Sequence, residues 1–376
     1  MKKVFFTLVL FISIVGHAQK IENIIFQGDL EKLKKIESKD IEAIHEYLSV
    51  SFFDDYEEEW FWVDMHPMTY AAVLEHEDIV RYYIEKKESF GGDDWFRDVV
   101  SQAFIAAIST GNQSLADLLY TYSPDLNAQC ESCHQHSALM VAAAYGDEKW
   151  YFELKARSAL STISEDGNGL LHLASNHKSE KIFFDVLTER KQDVNKKNNF
   201  GLTPLDFAAI NGNVKFFMEL VNAGADITIA VNIWHSIAQG GSIELLDFAV
   251  KNANRDDIVL TDEYYDTPLH TAMMFNHTEM TVKIVDLTIQ FYRETKYDRI
   301  NSDAYSMNDV HPLYWAIDEN NKETFEAYLK FASHIYLATD NPYIVPIYDN
   351  LYKSAKKTFG KAFVEELYAT YEIVEL

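Results

Sequence analysis

The residues best suited to chemistry lie in one short stretch, Cys130-Glu131-Ser132-Cys133-His134, with His136 two positions on. Cys130 and Cys133 are the only cysteines in the chain. Four chemistries fit two thiols at this spacing beside two imidazoles. A disulfide would staple the loop that carries them, as an oxidising compartment permits. A zinc site could use Cys130, Cys133, His134 and His136, although four ligands in so short a span are cramped. C-x-x-C-H is also the attachment motif of c-type haem, but nothing else suggests a fold that encloses haem. The fourth option is a free or redox-active dithiol. The disulfide is the expectation; a redox or metal-binding protein built on this finger is the alternative.

Other catalytic signatures are missing. The histidines show no H-E-x-x-H spacing, there is no G-x-S-x-G elbow, and no G-x-x-x-x-G-K loop cradles phosphate. Gly91-Gly92-Asp93-Asp94 is too short to claim a calcium loop. No cofactor and no enzymatic activity are expected.

A second pattern joins acids to large aromatics, in fingers that connect one structural unit to the next. It occurs at Asp54-Asp55-Tyr56-Glu57-Glu58-Glu59-Trp60-Phe61-Trp62, at Asp93-Asp94-Trp95-Phe96 and at Asp262-Glu263-Tyr264-Tyr265-Asp266. Aromatic anchors carry much of the energy of protein interfaces, and acids steer basic partners. Tyr56, Trp60, Trp62, Asp93, Asp94, Trp95, Glu263, Tyr264 and Tyr265 are therefore candidate partner-binding residues. The competing reading puts the aromatics in the core and the acids in water.

Charge narrows the partners. The chain has 376 residues and a net charge of −26. Nucleic acid backbones and anionic membranes select basic surfaces, so neither is expected. Another protein, with a basic surface, fits better. At the start, Lys2 and Lys3 precede an apolar run, Val4 to Val15, too short to span a bilayer; Gly16-His17-Ala18 follows as a small-x-small cleavage signal. Residues 1–18 read as a signal peptide cut before Gln19. Losing its two lysines takes the charge from −26 to −28. No later stretch is apolar enough to insert in a membrane. The periplasm is the first expectation for location and the outside medium the second.

The elements that must position these residues are clearest in NKKNNFGLTPLDFAAINGNVKFFMELVNAGADIT, Asn195 to Thr228. Thr203 suits an N-cap and Pro204 the first helical position. Leu205, Ala208 and Ala209 give a narrow apolar face, and Asn211-Gly212-Asn213 stops the helix. Phe216, Phe217, Leu220 and Val221 mark a second helix, closed by Gly224. This unit resembles an ankyrin repeat, with Asp206 where that family usually has His. The resemblance implies that His172 and His270, at the family's T-P-L-H position, bond neighbouring backbone and fix the turn. Such a unit needs neighbours of the same shape to bury its faces.

Neighbours are present. Copies start near positions 66, 102, 137, 169, 203, 232, 267 and 311, close to the family's period of about 33. Glu75 replaces the turn glycine in the copy that starts at His66. The long last gap places an insertion near Thr288 to Val310, as a lengthened outer helix and finger. The expected map is a signal peptide at 1–18, a capping region at 19–65, about eight repeats at 66–345 and closing helices at 346–376. The fold expected from the resemblance is an all-α ankyrin-type solenoid with hairpin fingers. The expected function is a monomeric, non-catalytic protein-binding scaffold in a bacterial envelope, as an immunity or protective protein would be.

Overall fold

One two-residue device recurs along the chain and sets its architecture. Among the described residues, eight of the first helices end on a residue with positive φ: Gly28, Glu75, Gly111, Gly146, Gly212, Gly241, Asn276 and Asn320 all lie between +50° and +74°. The next residue's N–H then reaches back five positions. Thus Asp147 donates to Ala142 at 2.9 Å, Asn213 to Ala208 at 2.9 Å and Asn321 to Ala316 at 2.8 Å. That same residue caps the second helix. Asn112, Asp147, Asn213 and Asn321 accept from the N–H three positions on, at 3.0 to 3.1 Å. Glycine takes this left-handed conformation freely and asparagine tolerates it; Glu75 does so at a steric cost.

The computed structural model describes residues 17–40, 42–45, 47–54, 59–130, 135–157, 163–176, 179–189, 193–230, 232–262, 266–295, 312–339 and 349–371. It divides into two units, 1–189 and 190–376. The first unit contains α1 (His17–Phe26), α2 (Leu30–Glu37), β1 (Leu48–Asp54), β2 (Glu59–Met65), α3 (Pro67–Val73) and α4 (Glu77–Glu85). It continues with α5 (Asp93–Thr110), α6 (Gln113–Tyr120), β3 (Gln129–Cys130), β4 (His136–Ser137), α7 (Ala138–Tyr145), α8 (Glu148–Ala156), α9 (Leu170–Asn176) and α10 (Glu180–Leu187). The first helices of successive pairs, α1, α3, α5, α7 and α9, pack on one another in order.

The second unit contains α11 (Pro204–Ile210), α12 (Val214–Asn222), α13 (Ile233–Gly240), α14 (Ile243–Asn252) and α15 (Pro268–Met274). It ends with α16 (Thr278–Thr295), α17 (Leu313–Asp318), α18 (Lys322–Thr339), α19 (Asp349–Phe359) and α20 (Lys361–Thr370). Here α11, α13, α15, α17 and α19 stack in the same way. The approach of α11 to α13 requires a bare backbone, because a Cβ on Gly240 would overlap the Ala209 carbonyl oxygen. Among the described residues, no helix is long and apolar enough to cross a membrane.

The helix starts are fixed by caps. Pro204 stands at the first position of α11, Leu205 is buried beneath it, and the N–H of Gly224 donates to Val221 at the end of α12. In α15 the N–H of Thr267 donates to His270 Nδ1 at 3.1 Å, and Gly169 does the same to His172 at 3.1 Å. Asp206 does this work in α11. One carboxylate oxygen accepts from the N–H and hydroxyl of Thr203, both at 2.8 Å. Its other oxygen accepts from Ser236 of α13 at 3.0 Å, a reach the departure from histidine makes available.

Two features differ from the sequence reading. A hairpin of two seven-residue strands, β1 and β2, runs antiparallel from Leu48↔Met65 to Asp54↔Glu59, where only a capping region was expected. The stretch Asp93-Asp94-Trp95-Phe96 is the first turn of α5 and not a finger between repeats. Left-handed Gly91 ends the preceding turn, and two acids at a helix N-terminus complement its dipole. This helix therefore begins nine residues before the expected start near 102. The lengthened outer helix before His311 is α16, of 18 residues, and α18 has 18 as well.

Candidate functional site

The N-terminal half of α5 is two-faced. Phe96, Val99, Val100 and Ala103 are buried, while Asp94, Arg97 and Asp98 are exposed on the opposite side. Asp94, Asp98 and Gln102 stand four residues apart and so share one ridge. Beside that ridge an open cavity of about 360 Å³ is lined by Asp94, Arg97, Asp98 and Gln102, together with Asp125, Gln129 and Gln135. A smaller recess adjoins it, sharing Asp98 and Gln102 and bounded by Tyr47, Asp64 and His66.

The far wall is the cysteine finger. β3 and β4 pair through Gln129↔Ser137 and Cys130↔His136. Gln135 turns the hairpin with φ of 59°, and its N–H donates to the Cys130 carbonyl at 3.1 Å. Gln102 Nε2 donates to the Gln129 carbonyl at 2.9 Å, which ties the finger to α5. Below it Ser101 accepts from the Asp125 N–H at 2.8 Å and donates to the Arg97 carbonyl at 2.7 Å. The walls are thus held by hydrogen bonds to backbone, and exposed Asp94, Arg97 and Asp98 line the cavity.

Two separate signals in the sequence meet at this cavity: the Asp94 stretch and the Cys130–His136 finger. Cys130 is buried at 5% exposure, whereas Cys133 and His134 lie outside the described residues. Asp93 is diverted to Lys87, at 2.9 Å, which holds its carboxyl below the usual range. Trp95 is half-buried, its ring 5.3 Å from Phe90 and 5.8 Å from His66. Trp60 and Trp62 occupy β2, opposite Phe53 and Ser51. Tyr56, Glu263, Tyr264 and Tyr265 lie outside the described residues. Sequence reasoning missed Arg97, Asp98, Gln102, Asp125, Gln129 and Gln135. The four-residue spacing of Asp94, Asp98 and Gln102 was available as a signal; nothing in sequence joins them to the finger.

The sequence profile described as "Ankyrin repeats (3 copies)" matches residues 139–230. Residues 139–230 carry ankyrin repeats. It is similar to alpha-latrocrustotoxin-Lt1a of Latrodectus tredecimguttatus, with 24% identity over 43% of this chain and 12% of that protein. It is also similar to the nuclear factor NF-kappa-B p105 subunit of Rattus norvegicus, with 25% identity over 45% of this chain and 18% of that one. The putative ankyrin repeat protein FPV244 of fowlpox virus (strain NVSL) shares 25% over 29% of this chain and 18% of its own length. The chain thus spans less than a fifth of each of these relatives. Among solved structures, the human ASB11 ankyrin repeat domain matches with a TM-score of 0.38 and 21% identity, over 52% of this chain and 83% of that one.

The fold is the all-α ankyrin type, to which β1–β2 and the β3–β4 finger add two small sheets. Among the described residues, no group of His, Cys, Asp and Glu is placed to hold a metal ion. What this ankyrin-type unit offers at α5 is a polar cavity with carboxylates, one guanidinium and amide side chains. Those groups can bind cationic side chains and hydrogen-bond a peptide backbone; none of them is arranged as a nucleophile with its base.

Proposed function

We propose that the protein is an exported, non-catalytic scaffold that takes a basic segment of a partner protein into the cavity between α5 and the β3–β4 finger. The observation that carries this reading is the cavity itself, with Asp94, Asp98 and Asp125 set around a single Arg97. The mature chain, at −28 (−26 less the two lysines of residues 1–18), would draw a basic partner over longer range and speed its approach. An envelope protein that neutralises or shields such a partner, as an immunity protein does, is the concrete form. Export rests on residues 1–18, and cleavage before Gln19 keeps the buried Ile21, Ile24 and Ile25 in the mature chain. The periplasm is the compartment we assign, with the outside medium second.

A disulfide between Cys130 and Cys133 would suit the finger's task. Cys130 is buried at the end of β3, and a staple there would stiffen the wall that Gln102 holds. Affinity capture with the mature protein from an envelope extract, read by mass spectrometry across a salt series, tests the scaffold reading. Captured proteins should be basic and should be released as salt shortens the range of electrostatics. Capture that ignores salt, or that selects acidic proteins, would sink the basic-partner reading. Replacing both cysteines by serine should leave the partner set unchanged; a metal or electron-transfer activity lost with them would favour the redox alternative.

A further inference from the structure

Beneath the recess that adjoins the cavity lie two buried histidines whose hydrogen bonds run in one direction. His66 is the N-cap of α3, and its Nδ1 accepts from the Met68 N–H at 3.0 Å. A backbone N–H only donates, so Nδ1 carries no proton and Nε2 does. Nε2 lies 3.0 Å from His45 Nδ1, which must therefore accept. The proton of His45 is then on Nε2, 2.6 Å from Ser89 Oγ, and the Ser89 hydroxyl donates to the Lys86 carbonyl at 2.6 Å. Every ring nitrogen is used once. A second proton on His45 would face the N–H of His66, and one on His66 would face the N–H of Met68.

The surroundings leave no room for such a proton to be solvated. His45 is 7% exposed and His66 2%. The Phe90 ring is 4.4 Å from His45 and 5.1 Å from His66, with Tyr83 and Trp95 completing the shell. We propose that the His66–His45–Ser89 chain is an acid-sensitive latch. Protonation breaks it and frees the Ala43–His45 turn and the base of β1–β2 from α3. That opens the recess next to the α5 cavity and makes partner binding there depend on pH. The binding part of this inference rests on the function proposed above; the latch itself does not.

The charged groups around the pair do not offset its burial. On α2, Glu37 favours a protonated His45, but Lys86 at 2.7 Å and the Tyr82 hydroxyl at 2.6 Å already engage it. On α4, Tyr83 is neutral and donates to the Ile44 carbonyl at 2.7 Å. In the connecting turn, Lys87 is paired with Asp93. Asp64 and Tyr47 from the hairpin side and Asp98 from α5 share the recess with His66. Burial dominates, holding His45 at about 4 and His66 well below the ordinary histidine range. The sign follows. The latched state prefers neutral rings, so it is fully stable above the free histidine value of about 6.5 and weakens as pH falls toward 4.

Hydrogen exchange of the mature protein, without partner, tests this between pH 7 and pH 4.5. Protection factors for Ala43–His45, Leu48–Val50 and Met68–Tyr70 should fall by roughly tenfold per pH unit for each histidine that titrates, while α11–α15 stay protected. The double variant H45Q/H66N keeps an acceptor and a donor at each position and cannot titrate, so its protection should not change with pH. Equal protection of the wild type at both ends of the range, or the same acid loosening in the variant, would overturn the latch. Should the variant fold poorly, the imidazole ¹⁵N shifts of the wild type decide. Both rings must be Nε2–H tautomers at pH 7, and any other pattern refutes the chain. These readouts involve no partner, so their failure is separate from a failure of the binding reading.

Discussion

Asp206 gives the sharpest test of how the repeats are held. It is fully buried and accepts three hydrogen bonds, from the N–H and hydroxyl of Thr203 and from the hydroxyl of Ser236. Asp206→Ala removes one partner from three buried donors. The two hydroxyls can turn to other acceptors, but the N–H cannot. At about 1–3 kcal/mol for a donor left buried and unpaired, the expected loss is about 2–4 kcal/mol. Asp206→Asn should behave differently. Its carbonyl oxygen still accepts from Thr203, and its amide can donate to Ser236. The variant also removes a charge whose burial pushes the Asp206 carboxyl up despite those bonds. A raised carboxyl pKa means that the ionised form destabilises the fold as pH rises through it, and Asn lacks that loss. Asp206→Asn should therefore lie within about 1 kcal/mol of wild type, and closest or above it at pH 7. Denaturant titration should be followed by hydrogen exchange in α11 and α13, because repeat arrays need not unfold in one step. If Asp206→Ala matches wild type, or Asn falls as far as Ala, the cap is not what joins these helices.

Two further substitutions probe the turn and the stack. Glu75 is exposed and holds φ of 61° where most sister turns have Gly, so Glu75→Gly should raise the stability of the first unit by about 0.5–1 kcal/mol. A lower denaturation midpoint would mean that the side chain has a role there. Gly240→Ala places a methyl group on the Ala209 carbonyl oxygen and should cost about 1–3 kcal/mol or more, seen as faster exchange in α11 and α13. Unchanged exchange would show that the two helices are farther apart than described.

Much of the fold was legible in the chain because the repeat is specified locally. The left-handed turn residue, the cap after it and the alanine five positions before that cap are all neighbours in sequence. This is why Glu75 and Asp206 were visible as departures and why the helix pairs fall in register. The hairpin at Leu48–Met65 was harder to see. Leu48 and Val50 are buried and Ser49 is exposed, which is a strand period, but it is short and runs into an acidic stretch after Asp54 whose composition is that of a loop. The start of α5 was readable from Phe96, Val99, Val100 and Ala103, had the double glycine been taken as its boundary. The cavity was only half legible. Asp94 and Asp98 share a helix face by spacing, but Gln129 and Gln135 join them through tertiary packing. His45 and His66 are 21 residues apart and carry no motif; packing alone brings them together.

Binding of a basic protein segment is assigned above to the α5 face of the cavity. The measurement that meets it most directly is quantitative capture from an envelope extract by three proteins: wild type, the Asp94→Lys/Asp98→Lys variant, and a control with Glu244→Lys and Asp247→Lys on α14. All four positions are exposed, and the two variants change net charge equally. The α5 variant should lose the wild-type partner set at least tenfold while the control retains it, with both variants melting as wild type does. Retention by the α5 variant, or equal loss from the control, would contradict it.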